Sequence, residues 1–239
     1  MVLAAVPIGA HPVATAQMAE LSRADADAAF ASVADESAGT DAEQVTMHGY
    51  PADRLSALAD ARDARLIVVG TRGRGPSRTA LLGSVSHELA AGASRPVVIV
   101  PEPDPPARHG GLGPGPLVCG VDGSEPSQAA LRVATRLADD LHAGLTLVSA
   151  CAAGSETRDW LTAMRVPAAD DVERLTASGD PAEVLTQAAS ERNAALLIVG
   201  SRGRGLMRAA VLGSVSAAAI RLANRPVVVV PPGATVSPN

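Results

Sequence analysis

Short apolar runs alternate with longer stretches of helical periodicity along most of the chain. Residues 117–121, Leu-Val-Cys-Gly-Val, are apolar and bounded by turn residues, which predicts a buried strand. Asp122-Gly123-Ser124-Glu125-Pro126 then opens a helix, with Ser124 suited to cap it and Pro126 to its first turn. That helix keeps Ala130, Leu131, Ala134, Leu137, Ala138 and Leu141 on one face, and Gly144 is expected to stop it. Residues 145–150 and 172–177 predict further strands. Asp180-Pro181 opens a second helix with Val184, Leu185, Ala188 and Ala189 inward, and 196–199 and 227–230 predict two more strands. Strand–helix alternation of this kind implies a parallel sheet with right-handed crossovers.

Part of this pattern occurs twice. Leu66-Ile67-Val68-Val69-Gly70-Thr71-Arg72-Gly73-Arg74-Gly75 returns as Leu196-Leu197-Ile198-Val199-Gly200-Ser201-Arg202-Gly203-Arg204-Gly205. The match runs on without a gap, from Gly83-Ser84-Val85-Ser86 to Gly213-Ser214-Val215-Ser216, and ends at Pro101 and Pro231. A separation this long means two copies of a domain rather than a solenoid. The reading is a domain at 1–101, a Pro/Gly linker at 102–116, a complete domain at 117–231 and a tail at 232–239. The first copy matches from Tyr50 onward. If residues 2–6 answer to the strand at 145, the first strand, its Asp-Gly-Ser turn and the first helix are missing, and residues 13–38 form a longer helical stretch instead. The missing strand should be central, so its loss should split the first sheet. Either the chain starts downstream of the true beginning, or this copy has decayed. The intact motif favours the first reading.

The chemistry sits where the copies agree. Gly200 ends a strand, at the edge where open α/β sheets bind ligands, and a side chain there would obstruct the ligand. Gly203 lets the backbone turn close to an anion. Gly213-Ser214-Val215-Ser216 starts a helix whose first amides have no partner within it, an anion site by construction, and the hydroxyls of Ser214 and Ser216 can add donors. Asp122 ends its own strand at the same edge. It is either a turn former or an acceptor for a sugar hydroxyl, and the strand-end position favours the sugar. Gly70, Gly73, Gly83, Ser84 and Ser86 repeat the loop in the first copy, with no match for Asp122. Arg202, Arg204 and Arg208 either face solvent or balance phosphate charge.

The G-x2-G-x9-G-(S/T) spacing, the strand-end Asp122 and the closing Arg-Pro-Val-Val-Val-Val strand together resemble the universal stress protein family, over nearly the whole chain. The resemblance implies an α/β fold of two tandem doubly wound parallel five-stranded sheets, order 3-2-1-4-5, the first incomplete. It implies ATP binding, with Mg2+ held through the phosphates and Asp122, Gly200, Gly203, Gly213, Ser214, Val215 and Ser216 on the nucleotide. The corresponding first-copy residues are Gly70, Gly73, Gly83 and Ser84. Family members commonly pair through their last strands, so residues 97–100 are expected to meet 227–230 within one chain, with a homodimer left open. The expected role is sensing or regulation under stress, with at most slow ATP hydrolysis. The alternative is an interaction and dimerisation module of the same fold that works without nucleotide.

Composition narrows this further. Hydrophobic residues make up 47% and aromatics 1%, so the cores must be aliphatic. The net charge of −5 argues against a nucleic-acid binder. No apolar run reaches membrane-spanning length. The start lacks the basic region of a signal peptide, and a cytoplasmic protein is expected. Cys119 and Cys151 fall on neighbouring strands and read as buried thiols rather than a redox pair. The five histidines have no metal-site spacing, and His87 reads as a surface residue. The G-x-G-x-x-G loop of a dinucleotide oxidoreductase does not follow the first strand.

Overall fold

The computed structural model describes residues 2–5, 24, 26–31, 41–71, 82–101, 113–151, 161, 164, 166, 172–203 and 211–234. The chain divides into two compact units, Met1–Arg62 and Asp63–Asn239.

In the first unit, β1 (Val2–Ala5) and β2 (Glu43–Thr46) form a two-stranded parallel sheet. Helix α1 (Pro51–Ala61) follows, with Pro51 in its first turn. Its N-cap Tyr50 makes no side-chain cap bond. Arg62 holds Glu43 through two hydrogen bonds, the Nη2–Oε1 one at 2.6 Å. That bond and the charge beside it pull the Glu43 carboxyl below its usual range. Of the helical stretch expected over 13–38, residues 26–31 are helical and the remainder lies largely outside the described residues.

The second unit carries β3 (Ile67–Gly70), α2 (Ser84–Gly92), β4 (Val97–Val100), β5 (Leu117–Gly120), α3 (Glu125–Leu141), β6 (Leu145–Cys151), β7 (Val172–Ser178), α4 (Pro181–Glu191), β8 (Leu196–Gly200), α5 (Ser214–Leu222) and β9 (Val227–Val230). Its seven strands lie in the order β3-β4-β9-β8-β5-β6-β7. All neighbours are parallel except β4 and β9, which run antiparallel with Val98 opposite Val228. The C-terminal repeat thus shows the order 3-2-1-4-5, as β7-β6-β5-β8-β9. Of the first repeat, β1 and β2 pair with each other in the first unit, and β3 and β4 in the second.

Helix α3 closes one face of the sheet. Ser124 caps it by accepting the Ser127 amide at 3.3 Å. Ala130, Leu131, Ala134, Leu137 and Ala138 are buried against Leu117, Cys119, Leu145, Leu147, Leu196, Ile198, Val228 and Val230. Each fully buried Leu of such a stripe contributes about 1.5–3 kcal/mol. Leu141, expected on this face, is 45% exposed because the stripe turns away from the sheet in the last turn. The helix ends two residues before Gly144, at His142, whose φ of 49° is left-handed. Arg65, just before β3, pairs with Asp140 of α3.

Helix α4 packs tightly on the opposite side, where a Cβ at Gly120 would meet Leu185 Cδ1 at 2.9 Å. Asp180 caps it, accepting the amides of Ala182 at 3.0 Å and Glu183 at 3.2 Å. Both cysteines are free thiols. Cys119 is fully buried, and burial pushes its thiol up to about 12.

Candidate functional site

The carboxyl ends of β5, β6 and β8 meet the start of α5 around a cavity of about 240 Å3. One wall is Gly120, Val121, Asp122 and Ser127. The floor is Val148, Ala150, Pro181, Leu185 and Val199. The opposite wall is Gly200, Arg202, Gly203 and the turn from Gly213 to Ser216. All seven second-copy residues singled out in the sequence, Asp122, Gly200, Gly203, Gly213, Ser214, Val215 and Ser216, therefore line one cavity.

Local geometry explains how each comes to be there. Gly213 is the N-cap of α5, in extended conformation (φ −64°, ψ 151°), and no side chain caps this helix start among the described residues. Its own amide donates to Ser201 O at 2.7 Å, which ties the far end of the glycine loop to the near end. The next amides, of Ser214, Val215 and Ser216, have no acceptor within the helix and carry the positive end of its dipole. A Cβ at Gly213 would lie 3.0 Å from Ser201 O, so the close tie between the loop ends favours glycine.

Asp122 does two things at once. Its Oδ1 accepts from the Ser124 amide at 2.9 Å and from Ser124 Oγ at 2.5 Å, which builds the turn that starts α3. Its Oδ2 lies across the cavity mouth, 2.9 Å from where a Cβ on Gly203 would be. Oδ1 thus carries the turn-forming reading of Asp122.

Two expectations change. Gly200 was assigned its smallness to clear room for a ligand. A Cβ there would instead meet Pro126 O at 2.8 Å and Pro126 C at 2.9 Å. The glycine is needed so that β8 and the first turn of α3 can touch. Ser216 was expected to offer its hydroxyl to a ligand. That hydroxyl donates to Gly200 O at 2.7 Å in a buried bond, so only the Ser216 amide remains for an anion. The exposed Ser214 keeps its hydroxyl at the cavity. Arg202 lines the cavity and donates from Nε to Val211 O at 3.4 Å, while Arg204 and Arg208 lie outside the described residues.

The sequence reading missed the apolar floor. Val148, Ala150 and Leu185 read as ordinary core positions, and only the sheet order reveals that their upper ends face a cavity. Gly120, two residues before Asp122, was the available signal: a glycine at a strand end is a place of close approach.

The first copy repeats half of this construction. Gly83 is the extended N-cap of α2, its amide donates to Thr71 O at 2.7 Å, and Ser86 Oγ donates to Gly70 O at 2.6 Å. Ser84 begins the helix, and Gly73 lies outside the described residues. Because β4 and β9 are antiparallel, this second helix start is at the opposite edge of the sheet. Among the described residues β3 ends the sheet, and no strand bearing an acid lies beside it there.

Among the described residues, no group of three or more His, Cys, Asp or Glu is placed to hold a metal ion. Among the same residues no helix is long and apolar enough to cross a membrane.

Comparison with known proteins agrees with this architecture. A universal stress protein of Mycobacterium tuberculosis is 32% identical over 206 residues, covering 77% of this chain and 68% of its own length. One from Mycolicibacterium smegmatis is 35% identical over 195 residues, covering 73% of this chain and 65% of its own length. The crystal structure of a universal stress protein from Archaeoglobus fulgidus superposes with a TM-score of 0.71 at 23% identity, covering 96% of this chain and 85% of that one, a likeness of fold. The family model describing the universal stress protein family matches residues 3–101 and 152–231, and the chain belongs to that family.

Proposed function

We propose that the C-terminal repeat binds ATP, with the phosphates on the bare amides of Ser214, Val215 and Ser216 and the ribose against Asp122, and that this binding serves a regulatory or sensing role. Membership of the universal stress protein family supports a role in the stress response. One observation carries the nucleotide reading. An uncapped helix start and a carboxylate at a neighbouring strand end line the same cavity, over an apolar floor. The positive helix end suits a polyphosphate, and the carboxylate suits sugar hydroxyls but repels phosphate, so the two walls set the orientation. Ser214 and Arg202 line the same cavity and would add to the phosphate side. A divalent ion would be held mainly by the phosphates. Among the described residues no histidine lines the cavity, and the reading is of nucleotide retained rather than rapidly turned over.

We read the β4–β9 ladder as the junction through which the two repeats pair, with 1–101 and 117–231 as the repeat domains and 102–116 as their linker. A cytoplasmic setting is part of the same reading. Isothermal titration of the full chain with ATP and Mg2+ tests the nucleotide claim. One site per chain is expected, weakening in the order ATP, ADP, AMP. Absence of binding, or equal binding of adenosine, defeats it.

A further inference from the structure

Among the described residues Arg202 is the cation in the cavity wall. Four other arginines of the second unit each pair with an acid: Arg65 and Arg136 with Asp140, Arg95 with Asp63, and Arg192 with Glu173. Arg202 is held by a carbonyl instead. Its Nε donates to Val211 O at 3.4 Å, and among the described residues no carboxylate pairs with it.

That carbonyl lies two residues before Gly213, the N-cap of α5. A Cβ on Gly213 would lie 3.3 Å from Arg202 Cα, so the arginine's backbone abuts the helix start. A half-buried cation therefore stands next to the positive end of a helix, with no protein anion to balance the pair. Such a place attracts more negative charge than one phosphate group carries.

The two positive features differ in kind. The amides of Ser214, Val215 and Ser216 with the helix dipole amount to about half an elementary charge, and suit one phosphate group. The guanidinium adds a full charge and a planar fork of donors, and Nε alone is committed to Val211.

We infer that Arg202 sets the number of phosphates this site prefers. The helix start holds one phosphate group of any nucleotide, and Arg202 answers to the further groups of a di- or triphosphate. This rests on the nucleotide reading above and goes beyond it by assigning the order ATP, ADP, AMP to one side chain. Arg202 is a specificity residue, with no part in bond breaking.

The test is isothermal titration of the full chain and its Arg202→Gln variant with ATP, ADP and AMP, Mg2+ present throughout. Arg202→Gln is expected to weaken ATP at least about tenfold and to leave AMP within about twofold, so the ATP-to-AMP preference collapses. Arg202→Lys keeps the charge without the fork or Nε, and its preference should fall between the two. Arg221→Gln removes the same charge from the exposed last turn of α5 and should leave the preference unchanged. Without nucleotide, Arg202→Gln should melt at or above the temperature of the original chain, since it relieves two like charges. Equal weakening of ATP and AMP overturns the inference, as does an equal effect of Arg221→Gln. A marked fall in melting temperature also overturns it, because the cation would then be serving the fold. Failure of the unaltered chain to bind ATP defeats the nucleotide reading and this inference together. ATP binding with an unmoved preference in Arg202→Gln defeats this inference alone.

Discussion

At residue 68 a valine is 59% exposed, and one repeat later, at residue 198, an isoleucine is fully buried. The sequences around them are nearly the same, and so is the local backbone. Both glycine loops close with a 2.7 Å amide bond, Gly83 to Thr71 and Gly213 to Ser201. Both serines two residues into the helix bond back to the strand-end glycine, Ser86 to Gly70 and Ser216 to Gly200. Both copies even keep an ion pair, Arg62 with Glu43 and Arg192 with Glu173. What differs is the neighbour. Strand β8 has β5 and α3 beside and above it, and among the described residues β3 has no strand on that side. In the second copy the loop ends and a distant strand line one cavity, and among the described residues the first copy shows the loop ends alone.

The largest predicted difference separates Gly200 from Gly70. Gly200→Ala forces a Cβ onto the Pro126 backbone and should destabilise by about 3 kcal/mol, with a drop in melting temperature of roughly 6–12 °C. Gly70→Ala sits in an exposed strand end and should cost less than about 1 kcal/mol. Equal melting temperatures for the two variants would show that α3 does not press on β8.

Nucleotide binding should separate the copies next. Ser214→Glu puts a negative charge at the cavity wall and should weaken ATP binding at least about thirtyfold, about 2 kcal/mol. Ser84→Glu should leave ATP binding within about twofold of the original. If titration shows the reverse, the functional copy has been misassigned.

The helices at Pro51 and Pro181 offer a smaller contrast. Asp180 caps its helix with two hydrogen bonds, and Tyr50 makes none. Tyr50→Asp should therefore stabilise by about 0.5–1 kcal/mol in a denaturant titration.

The smallest effect concerns the paired glutamates. Arg192 holds the Glu173 carboxyl below its usual range, with a further bond from Thr146 Oγ1 at 3.0 Å. A depressed folded-state value gives stability that is present above the ordinary carboxylate range and lost as pH falls through the lowered value. Glu173→Gln should flatten that acid limb. With the Glu173 side chain 53% exposed, the loss near neutral pH should be only about 0.5 kcal/mol and shrink with salt. Glu43→Gln should flatten the same limb in the first unit.

Much of this was legible in the residue string, and the reason is locality. Strand runs, the Ser124 and Asp180 caps, the glycine loops and the 130-residue offset between Gly70 and Gly200 depend on neighbours a few positions away or on direct comparison of two segments. They also fixed which residues would line the cavity, because each lies at the end of its own strand or the start of its own helix. The use to which a side chain is put was not legible. Gly200 is small for the sake of Pro126, and Ser216 spends its proton on Gly200 O. These follow from which strand lies beside which. That order is decided by burying apolar faces over long sequence separations, a collective choice that no local pattern of residues encodes.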